Sequence, residues 1–239
     1  MPHLTLLRHG QSQWNSENRF TGWADVDLTQ EGLAQIRFAA RQLIEAHTLF
    51  DIAYTSVLKR CIRSQWVLLD TMDCMWLEQR FDWRLNERHY GALTGMLKSE
   101  AQAVYGEDAV EQWRRSYAAV PPAMPADSAM QMGLDRRYVD LSEEGIARAE
   151  SLSDTVARVK AAWDDSIAVS LRSGHRVLVV AHGNSLRALI KLLENLSELE
   201  VLNLEVPNAA PIIYELDSGL KPVSKRSLPS APQLTSSIL

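Results

Sequence analysis

Residues 3 to 7, HLTLL, form a short apolar run that ends in Arg8, His9 and Gly10, the pattern of a buried strand meeting a turn at its carboxyl end. From Thr29 the period changes. Leu33, Ile36, Ala40, Leu43 and Ile44 recur at helical spacing, which predicts a helix to about Ala46 with Thr29 as its cap. The segment FDIAYTS (Phe50 to Ser56) predicts a second strand. VLKRCIRSQWVLLDTM predicts the helix after it, with Leu58, Ile62, Trp66 and Leu69 on its inner side and Arg60 in its first turn.

Regular patterning lapses over about residues 75 to 141, which hold LNERHYGALTG, a helix around Trp113-Arg114-Arg115 and the stretch PPAMPADSAM, so this part reads as a loop-rich insertion. A long helix is predicted from about Glu143 to Ser170, capped by Ser142, with Leu152, Val156, Val159, Trp163 and Ile167 on one face. HRVLVVA (His175 to Ala181) is almost wholly apolar and β-branched, which predicts a central strand covered on both faces; it runs into His182 and Gly183. The helix NSLRALIKLLENL and one more apolar run, Ile212 to Leu216, follow. Strands alternating with helices predict an α/β protein: a three-layer α/β/α sandwich with a mostly parallel sheet and the insertion lying over the active site. Residues 1–220 are expected to form one domain. Residues 221–239, rich in Pro, Ser, Lys and Gln, are expected to be a mobile tail.

A chain of 239 residues, 46% hydrophobic and 23% charged, can bury a sizeable core and has the balance of a soluble globular protein, which excludes disordered, collagen-like and coiled-coil classes. The net charge of −5 repels polyanions, so a nucleic-acid partner is not expected and any anionic substrate needs a locally basic pocket. The two cysteines, Cys61 and Cys74, are too few for a disulfide scaffold and wrongly spaced for a redox or zinc pair, so both are expected to be buried thiols. No segment approaches the ~20 apolar residues of a membrane helix, and the apolar run at the amino end is too short for a signal peptide. A cytoplasmic protein with no membrane partner is therefore expected.

Two strands far apart in the chain each run into a His-Gly turn, and in a parallel sheet such turns gather at the carboxyl edge, so His9 and His182 can face each other. A single histidine after a strand is more often structural. Two of them, one beside Arg8 and one beside Asn184, point to phosphoryl transfer. That chemistry needs a neutral imidazole aimed at phosphorus and cations around the equatorial oxygens. Arg8 and Arg60 supply the cations, and a protonated His182 would add a third charge. Glu87 is the candidate general acid and base, the competing reading being an ion pair with Arg88 or another arginine. Lys98, Arg114 and Arg115 are candidates for a basic outer end of the site, or else form a solvated face.

The run LLRHGQSQWNSENRFTGWADVDLTQEG (Leu6 to Gly32) resembles the signature region of the cofactor-dependent phosphoglycerate mutases, within the histidine phosphatase superfamily. The likeness continues through LKR around Arg60, LNERHYGALTG, QWRRSY and VLVVAHGNSLRALIK. The resemblance implies that His9 becomes phosphohistidine, that Glu87 shuttles the proton and that His182 stabilises the transition state. It places Arg8, Ser12, Asn15, Arg60, Gly183 and Asn184 around the transferred phosphoryl group, with Thr21 and Gly22 on a neighbouring loop. Arg88, His89, Tyr90, Lys98, Arg114 and Arg115 fall on the lining around substrate and cofactor. It further implies interconversion of 2- and 3-phosphoglycerate, 2,3-bisphosphoglycerate as the priming cofactor, no metal, and a homodimer or homotetramer. Two positions depart from the family pattern: Thr94 replaces a usual glutamine, and Pro207-Asn208-Ala209-Ala210-Pro211 replaces a Pro-Thr-Gly segment. The competing activities are a histidine-type phosphatase or a bisphosphoglycerate mutase or phosphatase on the same scaffold. A non-catalytic binding protein is the remote alternative.

Overall fold

The computed structural model describes residues 1–138, 141 and 147–232. Strands β1 (His3–Arg8), β2 (Ile52–Thr55), β3 (Glu78–Phe81), β4 (Val177–Ala181), β5 (Ile212–Leu216) and β6 (Pro222–Ser227) form one sheet in the order β3-β2-β4-β1-β5-β6. The first four in that order run parallel, and β5 and β6 are antiparallel to their neighbours. The sheet is therefore mostly parallel, as the alternating pattern predicts.

Strand side chains alternate between the faces, and the helices cover both. Leu7, Leu178 and Val180 pack with Ile36, Ala40 and Leu43 of one helix and Leu68 and Leu69 of another. Leu4, Leu6, Val177 and Val179 pack on the opposite face with Val156, Val159, Leu171, Leu186 and Leu189. In chain order the helices are α1 (Gln13–Ser16), α2 (Gln30–Glu45), α3 (Lys59–Thr71), α4 (Lys98–Tyr105), α5 (Glu107–Arg115), α6 (Ala126–Gly133), α7 (Leu152–Ala162), α8 (Ala168–Arg172), α9 (Gly183–Glu194) and α10 (Glu198–Asn203). α2 and α3 thus form one outer layer and α7 to α9 the other. β4, buried at every position, lies at the centre.

Several expectations are corrected. Thr29 does cap α2, its side chain accepting the Gly32 N–H, but Ile44 is 46% exposed and Trp66 of α3 is 48% exposed. The face that α3 buries is Cys61, Ser64, Gln65, Leu68 and Leu69, a narrower and more polar stripe than its hydrophobic pattern suggests. The long helix begins at Leu152, where Ser151 closes a capping box with Asp154, and a π-helical turn at Trp163–Ile167 joins it to α8. Residues 147–151 are not helical, and the proposed cap Ser142 and start Glu143 lie outside the described residues.

β3 and β6 correct the sequence reading more sharply. EQRF falls inside the loop-rich insertion and PVSKRS inside the presumed tail, yet each pairs along a full edge of the sheet. Both are polar edge strands without apolar alternation, so only their pairing partners reveal them. Residues 233–239 of the expected tail lie outside the described residues.

The insertion's helices α4 and α5 sit on a small separate cluster of Phe20, Leu93, Ala101 and Val110. That cluster carries Lys98 and Arg114 to the cavity beside His9 and Gly183, which lie just past the carboxyl ends of β1 and β4.

Candidate active site

His9 follows β1, and its N–H donates to the Ala181 carbonyl at 3.1 Å, extending the β1–β4 ladder by one residue beyond Arg8. Gly10 must be glycine: a Cβ there would stand 2.3 Å from the Gly32 carbonyl oxygen at the start of α2. The ring Nδ1 of His9 lies 2.7 Å from the Gly10 carbonyl, an acceptor only, so Nδ1 carries the hydrogen and Nε2 keeps its lone pair for attack. Burial holds the His9 pKa well below the ordinary histidine value, and the charges of Arg60 and Arg8 push the same way. The His9 imidazole is thus neutral at physiological pH.

His182 caps α9 and brings its ring to 5.1 Å from that of His9, the planes inclined at 64°. The two imidazoles converge as their strand-end positions predict. The condition that His182 be protonated is not met in the free site: burial, then Arg60, His9 and Arg8 hold its pKa well below the ordinary value, so both rings are neutral. His182 Nε2 sits 2.8 Å from Ser56 Oγ and 3.2 Å from Cys61 Sγ. Burial pushes the Cys61 thiol up to about 12, which leaves it an un-ionised neighbour.

The positive field comes from guanidinium groups. Arg60 is fully buried and donates to the Gly22 and Ala24 carbonyls at 2.7 and 2.8 Å, fixing the Thr21–Ala24 loop against the site. Gly22 in that loop has φ of +50°, a conformation that favours glycine. Arg8 Nη1 donates to the Val206 carbonyl at 2.8 Å, whereas its buried Nε has no hydrogen-bond partner among the described residues. A buried unpartnered donor on a cation at a cavity wall is suited to an incoming anion.

Glu87 is 9% exposed and makes no ion pair among the described residues, so the competing reading as half of a Glu–Arg pair does not hold there. Its Oε1 instead accepts the backbone N–H groups of Arg88 at 2.8 Å and Asn184 at 3.1 Å. Glu87 Oε2 lies 3.7 Å from where a Cβ on Gly183 would stand, at the first turn of α9. One carboxylate oxygen is anchored and the other is left for a proton.

Arg8, His9, Arg60 and Glu87 line a cavity of about 230 Å³ that also takes in Asn15, Thr21, Gly22, Tyr90, Lys98, Arg114 and Asn184. Burial lowers the Lys98 pKa, and the charges of Arg114 and Arg8 push the same way. Arg19, Phe20, Arg187 and Val206 line the same cavity and were not singled out from the sequence. A signal existed for Arg187, which lies four residues after Gly183 and so on the same face of α9.

Other sequence candidates lie just off this cavity. Ser12 caps α1, accepting the Asn15 N–H at 3.3 Å, and so shapes the wall through Asn15. His182 stands behind His9 and does not itself line the cavity. Arg88 is buried with its guanidinium 4.7 Å from the centre of the Tyr90 ring. His89 is wholly buried against Trp23, its Nδ1 accepting the Gly91 N–H at 3.0 Å. The Arg115 side chain is 70% exposed and paired with Glu111; it reaches only an adjoining space of about 350 Å³, shared with Tyr90, Arg114, Asn184 and Arg187. Among the described residues there is no cluster of His, Cys, Asp and Glu able to hold a metal, and no helix is long and apolar enough to cross a membrane.

A strand-end histidine with a bare Nε2, a second imidazole beside it, buried arginines and an anchored carboxylate are the parts of a phosphohistidine site. The sequence model of the histidine phosphatase superfamily (branch 1) matches residues 4–136 and 133–226, and the chain belongs to that superfamily. Among solved structures, a mycobacterial glucosyl-3-phosphoglycerate phosphatase is 24% identical with a TM-score of 0.71, covering 95% of this chain and 97% of that one. YhfR of Bacillus stearothermophilus is 22% identical with a TM-score of 0.69, covering 91% and 92%. The alpha-ribazole phosphatase of Shigella flexneri is 21% identical with a TM-score of 0.63, covering 90% and 91%. Likeness at these identities establishes a common fold.

Proposed function

We propose that the chain transfers phosphoryl groups through a phosphohistidine at His9 and acts on small phosphomonoesters bearing a second negative charge, with phosphoglycerates as the substrate class. One observation carries this reading. The bare Nε2 of His9 and four cations, Arg8, Arg60, Lys98 and Arg114, belong to the lining of one cavity. A three-carbon acid with an anion at each end matches this cationic lining.

In the charging step His9 Nε2 attacks phosphorus, the substrate P–O bond breaks, and Glu87 gives its proton to the departing alkoxide. In the discharging step Glu87 takes a proton from the acceptor hydroxyl as the P–N bond breaks. Arg8 and Arg60 balance charge on the equatorial oxygens throughout. 2,3-Bisphosphoglycerate fits as the priming group because the unpartnered Arg8 Nε offers a buried donor for one phosphate, while Lys98, Arg114 and Arg187 are available to the other. When bound, it supplies the phosphoryl group that charges His9.

The acceptor decides the activity. One reading is a mutase, in which a glycerate hydroxyl discharges the phosphohistidine. It is supported by the likeness of LNERHYGALTG and QWRRSY to the mutases and by the walled cavity that α4 and α5 help to build. The better-supported reading is a phosphatase, with water as acceptor. The solved relatives named phosphatases favour it, and so does the adjoining cationic space of about 350 Å³, which gives room for a substrate larger than glycerate.

The test is to incubate purified protein with 3-phosphoglycerate and trace 2,3-bisphosphoglycerate while following 2-phosphoglycerate and free phosphate. Phosphate release without isomerisation is the expected result. Isomerisation outpacing phosphate release would install the mutase reading instead.

A further inference from the structure

Away from the cavity, Arg158 of α7 and Glu150 form an ion pair almost withdrawn from solvent, with side chains 7% and 4% exposed. The pair is bidentate: Arg158 Nε donates to Glu150 Oε1 and Nη2 to Oε2, both at 2.7 Å. Every remaining hydrogen bond of the pair goes to one stretch of backbone. Arg158 Nη1 donates to the carbonyls of Arg84 at 2.8 Å and Asn86 at 3.1 Å, and Nη2 reaches the carbonyl of Glu87 at 3.2 Å. Glu150 Oε2 accepts the N–H of His89 at 2.8 Å.

Removing two charges from water costs more than their attraction returns unless the geometry is close and the leftover donors and acceptors are satisfied. Apolar side chains would fill the same volume more cheaply. What they could not do is hold a turn whose carbonyls point inward without a ladder partner. Segment 84–89 is such a turn, and its Glu87 carbonyl is met from a second side by the Trp23 indole N–H at 2.6 Å. With the backbone fixed from behind, the Glu87 side chain is free to project into the cavity.

We propose that Arg158, oriented by Glu150, is a positioning residue that aims the Glu87 carboxyl at the oxygen leaving phosphorus. This rests on the phosphohistidine reading, in which Glu87 protonates that oxygen. Neither Arg158 nor Glu150 lines the cavity, so the pair acts on proton delivery and not on binding.

The leaving group separates positioning from mere support. An alkoxide departing from 3-phosphoglycerate needs the Glu87 proton, whereas 4-nitrophenolate departing from 4-nitrophenyl phosphate does not. Single-turnover labelling of His9 is measured with both esters in the unaltered protein and in Glu87→Gln, Arg158→Lys and Glu150→Gln, with thermal melts establishing which variants are folded. A misaimed acid should slow labelling from the alkyl ester about 100-fold while labelling from the aryl ester and KM stay within about threefold. Glu87→Gln should show the same selectivity; if it does not, the assignment of Glu87 fails and the proposal with it. If Glu87→Gln is selective but the folded Arg158 and Glu150 variants lose both esters equally, or neither, the positioning role is overturned. Unfolding of both variants at the assay temperature likewise overturns it, because the pair is then a stability element.

Discussion

The side-chain amide of Asn208 donates to the backbone carbonyl of His9 at 2.7 Å, tying the segment before β5 to the histidine that follows β1. Next to it, the Ala209 N–H donates to the Arg8 carbonyl at 3.0 Å, with Ala209 held at φ +51°. These are the residues that depart from the Pro-Thr-Gly pattern. An alanine in the left-handed region costs about 1 kcal/mol, and here that conformation keeps the two backbone contacts on Arg8 and His9 in register.

Asn208→Ala should therefore lower stability by about 1 kcal/mol and slow phosphoenzyme formation by less than about tenfold. Asn208→Asp should be worse on both counts, since a carboxylate oxygen would face the His9 carbonyl and place negative charge beside an anion site. Denaturant melts and single-turnover labelling test the order. Equal behaviour of the two variants would remove Asn208 from the support of His9.

Glu87→Gln keeps an acceptor for the Arg88 and Asn184 N–H groups but cannot give or take the proton. Turnover with 3-phosphoglycerate should fall by about 100-fold or more, with KM nearly unchanged, because the lost interaction develops in the transition state. Steady-state kinetics decide this, and an unaltered turnover number would exclude Glu87 from proton transfer.

The distal cations should be unequal. Arg114 lines the main cavity, whereas Arg115 is largely solvated and paired with Glu111. Arg114→Ala should raise KM about tenfold through loss of a charge-assisted contact. Arg115→Ala should change it less than about threefold, as expected of an exposed charge. A larger effect at Arg115 would mean that substrate extends into the adjoining space, which would favour the larger-substrate phosphatase reading.

Buried neutral histidines link folding to acid. Burial lowers the His89 pKa to about 4, while the ordinary value is 6.5. Between these values the unfolded chain binds a proton that the folded chain does not, so stability is lost as pH falls through this window. His89 alone contributes a loss of about 3 kcal/mol by pH 4. Asn at this position places an amide oxygen near Nδ1 and does not titrate. His89→Asn should therefore flatten the fall in stability between pH 6.5 and 4, read from melts across that range. Parallel pH profiles for the two proteins would show that His89 is already protonated in the fold.

Much of the site was legible because its residues sit at local signals. His9 and His182 end apolar β-branched runs, Arg60 opens an amphipathic helix, and Thr29 stands where a cap belongs. Arg8 and Asn184 adjoin the histidines and come along with them. The distal cations of α4 and α5 were visible only as charged residues in an unpatterned stretch. Arg19 was missed because nothing near it in sequence distinguishes a guanidinium on a cavity wall from one in water, whereas Arg187 carried a signal in its helical spacing from Gly183. Ile44 and Trp66 went the other way: their spacing matches a buried stripe, yet the packed face of each helix is narrower than its apolar pattern.

The sequence alone determined the layered α/β class, the central place of β4 and the meeting of two imidazoles beside arginines, since apolar runs and strand-end turns are written within a few residues of chain. Tertiary structure decided the rest. β3 and β6 exist as strands only through their partners, burial and neighbouring cations lower the His182 pKa, and the carbonyls of segment 84–89 find their donors on a helix about seventy residues away. Pairing and desolvation arise between segments distant in sequence, where no local pattern can record them.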